Sequence, residues 1–147
     1  MNRTDSKSML RSLLNSRNAG VLATSRDDRP YANVVAFSVS EDLSEMVFAT
    51  PRQSRKYENL TANPRVAVLI DNRENETMDF QNAIAATTIG EARELTDSDR
   101  ERCLAHYTAR HPELNDFARE TSTAVFKIAV EKYVMVSRFQ NVVEIVV

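Results

Sequence analysis

Tryptophan is absent, and glycine occurs twice and cysteine once in a chain of 147 residues. Each scarcity excludes something. Average glycine usage is about 7%, and with only Gly20 and Gly90 the chain carries neither GxGxxG nor GxxxxGK, so the usual dinucleotide fingerprint and the P-loop are both missing. A lone Cys103 rules out an internal disulfide framework. Neither sign of charge dominates: 19 basic groups stand against 21 acidic ones, a net charge of −2. No broad basic field exists to attract nucleic acid or anionic lipid. Tyr31, Tyr57, Tyr107 and Tyr133 are scattered instead of forming a base-stacking platform, so nucleic acid is not an expected partner. No apolar run reaches the roughly 18 residues of a membrane span, and Met1–Ser8 is polar with no apolar signal core. No membrane association is therefore expected, and the cytoplasm is the expected compartment. The Asn-x-Thr sequons at Asn2, Asn59 and Asn75 matter only in a secreted chain and read as coincidence.

What remains is ordinary globular material, 42% apolar and 27% charged. A chain of this length buries roughly 70% of its unfolded surface, enough for a core without staples. One domain spanning residues 1–147 is expected, with no repeat, linker or low-complexity segment. Residues 5–17 carry Met9, Leu10, Leu13 and Leu14 on one stripe, an amphipathic helix ended by Asn18-Ala19-Gly20. The period then shortens to a β-meander: Val21–Ser25, the turn Arg26–Pro30, Tyr31–Ser40, the turn Glu41–Ser44, and Glu45–Thr50. The stretch 31–39 is apolar on both parities, with Tyr31, Val35, Phe37 and Val39 on one face and Ala32, Val34 and Ala36 on the other, so both faces are expected to be covered.

A helix is predicted over 54–63, stopped by Asn63-Pro64, followed by a strand over Arg65–Asp71, a polar loop over 72–82 and a strand over Ala83–Thr96. Thr96-Asp97-Ser98-Asp99 signals a helix leading into Arg100–Arg110, and Pro112 opens another helical turn. Ala124–Arg138 and Asn141–Val147 read as strands. The pattern predicts a mainly β fold with flanking helices, a six-stranded antiparallel split barrel. The apolar end, Val142, Val143, Ile145, Val146 and Val147, needs cover from barrel closure or from a dimer partner, and the sequence leaves both open.

The chemically informative stretch is Met46–Val66, a strand, a short loop, a helix and a strand. Ser54 is the natural N-cap of the helix. Arg55 and Lys56 occupy its first turn with Arg52 just upstream, and no acid precedes Glu58. That is the wrong sign for a helix start, where the macrodipole and free N–H groups favour anions. A bound phosphate reverses the account by taking N–H groups, the Ser54 hydroxyl and charge-assisted bonds from Arg55 and Lys56. The alternative is a solvated basic turn paired with scattered acids.

Pro30-Tyr-Ala-Asn-Val-Val-Ala-Phe37, then Val47-Phe-Ala-Thr50, Ser54-Arg-Lys56 and Asn63-Pro-Arg-Val66 together resemble the pyridoxamine 5′-phosphate oxidase-like FMN-binding split barrels. Order and spacing agree from about Gly20 to Ile70, and more weakly at Thr88-Ile-Gly90. The resemblance implies a homodimer that holds FMN in a cleft between subunits and acts on a small-molecule substrate. It implies phosphate contacts from Arg55 and Lys56 beside Ser54. It also implies ring contacts from Asn33, Val34, Val35 and Ala36, and cofactor lining from Ala49 and Thr50. The substrate half of the pattern is missing. Where pyridoxamine phosphate oxidases proper carry a basic residue this chain has Asn33, a later lysine position reads Ser38, and a ring-contacting glutamine falls near Ala85. Their C-terminal segment with a tryptophan and an Arg-x-His clamp has no counterpart. Vitamin B6 oxidation is not expected. The reading is an FMN-dependent oxidoreductase or flavin reductase taking electrons from a reduced nicotinamide or a partner. Its alternatives are a haem- or flavin-binding stress protein without turnover and a deazaflavin-dependent reductase. No catalytic side chain is singled out.

Other features carry less. Cys103 and His106 share a helix face, yet two ligands are too few for a metal. His111, before Pro112, reads as a capping or solvent residue. Asp71–Asp79 mimics a calcium loop but has Arg73 at a ligand position and Glu76 where the turn glycine belongs, so it reads as a solvated loop near a cleft mouth. Met78 and Phe80 read as core residues, with cover for a flavin ring as their other role.

Overall fold

The computed structural model describes residues 2–138 and 140–147, and only the backbone of Phe80. Helix α1 (Arg3–Ser16) starts where the Asn2 side chain accepts the Asp5 amide, and it buries Leu10, Leu13 and Leu14. Strands β1 (Ala19–Arg26) and β2 (Arg29–Ala36) form a hairpin whose Arg26 and Arg29 are paired across a two-residue turn. Asp27 and Asp28 both sit at positive φ, 52° and 61°, the left-handed geometry that matches strand twist in such turns. Strands β3 (Ser38–Val39) and β4 (Glu45–Pro51) follow, then helix α2 (Arg55–Ala62), β5 (Arg65–Asp71), the short α3 (Asp79–Asn82) and β6 (Ile84–Glu94). Helix α4 (Asp97–Arg110), a 3₁₀ turn (Pro112–Leu114) and α5 (Asn115–Arg119) precede β7 (Thr123–Ser137) and β8 (Asn141–Val146).

The strands form one antiparallel sheet in the order β2-β1-β5-β6-β7-β4-β3, with β8 added to β7. There are eight strand segments, not six. The stretch expected as one strand over Tyr31–Ser40 breaks at Phe37 into β2 and β3, while the strands expected over Ala124–Arg138 and Asn141–Val147 are present as β7 and β8. Because β3 is the continuation of β2, the two ends of the strand order are joined through the bend at Phe37, and the sheet curls into a split barrel. The predicted helix at Arg100 begins at Asp97, and the polar stretch 72–82 contains α3.

The barrel interior holds Leu22, Val35, Phe37, Met46, Phe48, Val68, Ile70, Phe126, Ile128 and Tyr133, closed at one end by α1. Phe48 stacks on Phe126 with centroids 5.5 Å apart, worth about 0.5–1.5 kcal/mol beyond the buried area. A second, outer cluster covers the far side of β4 and β7: Val47, Ala49 and Val125 pack under Leu104 and Tyr107 of α4 and Ala118 of α5.

The two faces of β7 exchange roles at a bulge. Ile89 pairs with Lys132 but Gly90 pairs with Val130, leaving Glu131 as the extra residue. Phe126, Ile128 and Val130 point inward before it, Tyr133 and Met135 after it. Only glycine fits at 90, since a Cβ there would run into the Ala129 carbonyl oxygen.

The expectation that both faces of strand 31–39 are covered fails within the chain. Val34 is 67% exposed, whereas Ala36, two residues on along the same face, packs against Tyr107 of α4. Met78, read as core, is also exposed, because it stands at the N-cap of α3 in a polar loop. The core reading of the Phe80 side chain lies outside the described residues. The apolar end divides by parity: Ile145 is buried against the barrel, while Val142 and Val146 face outward and are exposed.

Candidate cofactor site

Helix α2 begins as its sequence dictates. The Ser54 hydroxyl accepts the Tyr57 amide at 3.2 Å and donates to the Pro51 carbonyl at 2.8 Å, and Thr50 Oγ1 lies 3.2 Å from it. The basic residues around this cap separate into different roles. Arg52 pairs with Glu94 at the end of β6 and donates to the Thr121 carbonyl at 3.1 Å, and the Tyr57 hydroxyl donates to the same Glu94 at 2.9 Å. Arg52 is thus a bracket that ties the β4–α2 loop to β6, and its guanidinium is committed. Glu58, the first acid of the helix, reaches across to Arg26 at 3.5 Å.

Arg55 and Lys56 are left. The Arg55 guanidinium lies 5.2 Å from the centre of the Tyr31 ring. Lys56 is half-buried, and that loss of water pushes its ammonium pKa below the usual lysine value. Among the described residues neither forms an ion pair with a carboxylate. A cleft of about 390 Å³ opens beside Arg55, lined also by Arg26, Arg29, Tyr31, Glu58 and Asn59.

The other expected positions lie along β2 and β4. Thr50 is fully buried beside Ser54. Val35 points into the barrel, so it can offer a ligand only its backbone, whereas Val34 presents its side chain outward. Asn33 carries a buried amide oxygen with no partner among the described residues. Ala36 and Ala49 converge on one group: the Tyr107 hydroxyl donates to the Ala36 carbonyl at 3.3 Å and receives the Ala49 amide. Burial, with Glu113 adding to it and the Ala49 amide opposing, pushes this phenol up to about 12, so it stays protonated. The structure therefore sets Ser54 against Thr50, Arg55 against Tyr31, and Ala36 near Ala49 through Tyr107, and because Ala49 and Thr50 are consecutive residues of β4 these contacts adjoin one another around the start of α2. β2 pairs with β1 along one edge only, which leaves backbone donors and acceptors on its other edge.

Sequence reasoning passed over Tyr107, Tyr31 and the Arg52–Glu94 bracket. Tyr107 meets Ala36 across 71 positions and Arg52 meets Glu94 across 42, pairings that no local pattern encodes. His111 caps α4 as expected, but it is not a solvent residue. It is 2% exposed, and its Nε2 lies 2.7 Å from the Phe37 carbonyl, pinning the bend between β2 and β3. His106 Nε2 lies 3.3 Å from the Val39 carbonyl. No group of three or more His, Cys, Asp or Glu side chains among the described residues is arranged to hold a metal, and the Asp79 carboxylate instead accepts the Glu74 and Glu76 amides. No helix among them is long and apolar enough to cross a membrane.

A curled antiparallel sheet whose two ends are joined through the Phe37 bend, with helices packed on its outside, is a split barrel. The sequence profile of the family described as pyridoxamine 5′-phosphate oxidase matches residues 7–137, and the chain belongs to that family. No curated protein sequence matches the chain. Among solved structures, a haem-binding protein from Mycobacterium smegmatis superposes with a TM-score of 0.82 at 18% identity, covering 92% of this chain and 55% of the other. This chain therefore spans just over half of that protein. A FAD-binding protein from Mesorhizobium loti gives 0.72 at 21% identity, covering 88% and 90%. HutZ, the haem storage protein of Vibrio cholerae, gives 0.74 at 18% identity, covering 85% and 89%. At these identities the likeness is one of fold.

Proposed function

We propose that this chain is an FMN-binding flavoprotein working as a homodimer, an oxidoreductase or flavin reductase that passes electrons from a reduced nicotinamide or a partner to a small acceptor. The observation that carries the reading is the first turn of α2. Two cations without carboxylate partners among the described residues, one of them partly dehydrated, stand at a capped helix start whose free N–H groups favour an anion. A phosphate satisfies the cap, the dipole and both cations together. The residues fit the rest of the group as well: the orphaned Asn33 oxygen takes a donor, and the free edge of β2 offers backbone contacts to a flat polar ring edge. Bound FMN supplies hydride and one-electron chemistry. The chain's own part is to hold it, with Arg55, Lys56 and Ser54 on the phosphate and strands β2 and β4 on the ring.

The dimer reading rests on the outer sheet face. The register places Val34, Val21, Leu69, Thr87 and Val134 in one row across β2, β1, β5, β6 and β7 that ends on Glu144 of β8, with Val142 and Val146 on either side of Glu144. None is fully buried, and a largely apolar face with a polar margin of this kind marks an interaction surface. The haem alternative gains less from this chain, because both histidines already use Nε2 on backbone carbonyls.

The test is the visible spectrum of the purified protein, followed by titration of its apo form with FMN. Flavin absorption, or saturable quenching of flavin fluorescence at one FMN per chain, is the expected result. A protein that shows a Soret band, or that leaves flavin fluorescence unquenched, refutes the reading.

A further inference from the structure

A second cleft, of about 450 Å³, lies on the outer side of β3, β4 and β7 under the middle of α4, away from the α2 cap. Its charged wall groups are Glu41, Glu45, Arg102 and Lys127, beside Ser38, Cys103 and His106. Three observations converge there. The Ser38 hydroxyl is completely buried, lines the cleft, and has no hydrogen-bond partner among the described residues. A buried hydroxyl left unmatched costs free energy, and a bound acceptor or donor removes that cost. Lys127 has only 15% of its side chain exposed, and its ammonium, with three donors, meets one carboxylate, Glu45 Oε2 at 2.6 Å. Two donors remain for another acceptor. Arg102 adds a second cation to the wall: burial pushes the Cys103 thiol pKa up, and the fields of Lys127 and Arg102, each acting more strongly there than Glu45 or Asp99, oppose it.

We propose that this cleft is a binding site for a small carboxylate, whose oxygens take the Ser38 hydroxyl and the two remaining Lys127 donors, with Cys103 and His106 forming its wall. A carboxylate suits the site better than a neutral ligand because only an oxyanion uses ammonium and hydroxyl donors together at full strength. The buried Val47 stands between Ser38 and Lys127 in the strand register, so the two donors flank one apolar side chain on the same face.

Cys103 makes the test direct, since it is the one cysteine of the chain and lines the cleft. Its alkylation by the neutral reagent N-ethylmaleimide is followed by intact mass at increasing acetate or succinate, with acetamide and succinamide as uncharged controls. The expected result is saturable protection by a carboxylate in the millimolar range and none by either amide. Ser38→Ala should raise the half-protecting concentration about tenfold, the worth of one charge-assisted hydrogen bond. The same variant should leave the melting temperature unchanged or higher, because it deletes an unmatched hydroxyl. Lys127→Gln should raise the half-protecting concentration by at least as much, and Ser38→Ala carries the test alone if Lys127→Gln does not fold. Protection measured with and without FMN should be the same, which separates this site from the flavin reading. Absence of protection by both carboxylates, equal protection by the amides, or protection unchanged in Ser38→Ala overturns the proposal.

Discussion

Replacing Arg55 and Lys56 together by alanine separates a ligand site from a merely basic turn. On the ligand side, a charge-assisted hydrogen bond contributes about 1.5–3 kcal/mol. Arg55 is exposed and belongs at the low end of that range, and half-buried Lys56 nearer the top. Together they give about 3–5 kcal/mol, a loss of roughly 10²- to 10⁴-fold in FMN affinity. On the fold side, each cation at a helix start costs about 0.3–1 kcal/mol. The Arg55–Tyr31 contact at 5.2 Å returns about 0.5–1 kcal/mol. The apo variant should therefore lie between about 0.5 kcal/mol below the parent and about 1.5 kcal/mol above it, a rise of no more than about 3–6 °C in Tm.

Lys56 adds a pH signature. Burial lowers its folded pKa, so between that value and the unfolded one the unfolded chain binds more protons, and apo stability rises with pH across this window. FMN affinity moves the opposite way, falling as pH rises through the folded pKa and the ammonium is lost. Fluorescence titration across pH, beside thermal melts of the apo protein, reads both. An affinity within about threefold of the parent in a folded variant refutes the site. An apo variant that unfolds shows the two residues to be structural.

Three further substitutions probe other parts of the argument. Gly90→Ala forces a methyl against the Ala129 carbonyl at the β6–β7 bulge and should cost about 1–3 kcal/mol in urea unfolding; an unchanged midpoint would show that the bulge yields freely. Asp42, whose carboxylate accepts from Ser44 and Ser40 and is held at about 2 against an ordinary 3.8, supports the β3–β4 turn above pH 3.8 and loses that role as pH falls through about 2. NMR titration of the Ser44 amide follows it, and an inflection near 3.8 removes the turn's share of the acid response. Val34→Glu puts a charge into the exposed apolar row and should convert a dimer to a folded monomer in sedimentation. A parent protein that is already monomeric at high concentration removes the dimer proposal at once.

Local physics was readable wherever neighbours in sequence are neighbours in space. The Ser54 cap, the stop at Asn63-Pro64, the Leu10–Leu14 stripe and a turn within Arg26–Pro30 all follow from short-range rules, and all are present, the turn narrowed to Asp27-Asp28. Strand number was not readable, because the break at Phe37 depends on groups far away in sequence. The His111 ring on the Phe37 carbonyl and the Phe37 amide on the Asn18 carbonyl fix that bend. The same limit hid the division of labour among the cations. Arg52, Arg55 and Lys56 look equivalent in sequence, and only Glu94, 42 residues beyond Arg52, removes one of them from the anion site.

That division strengthens the case for a bound anion. A basic turn kept only for solubility needs no bracket, whereas here one arginine is committed to holding the loop in place while its two neighbours stay without acids. The arrangement fixes the position of the helix start and leaves its charge unmatched. Positioning matters at such a site because a ligand held between strands and a helix end loses affinity when the donors must first be gathered. The outer face extends the argument beyond one chain. Val34 lies on the strand expected to touch the ring, and it is also the most exposed large apolar residue described in the molecule. In the proposed dimer, a second copy docking on that face covers Val34 and closes the open side of β2 in one event. Cofactor binding and dimerisation are then coupled, and FMN should tighten the dimer by the same factor by which dimerisation tightens FMN.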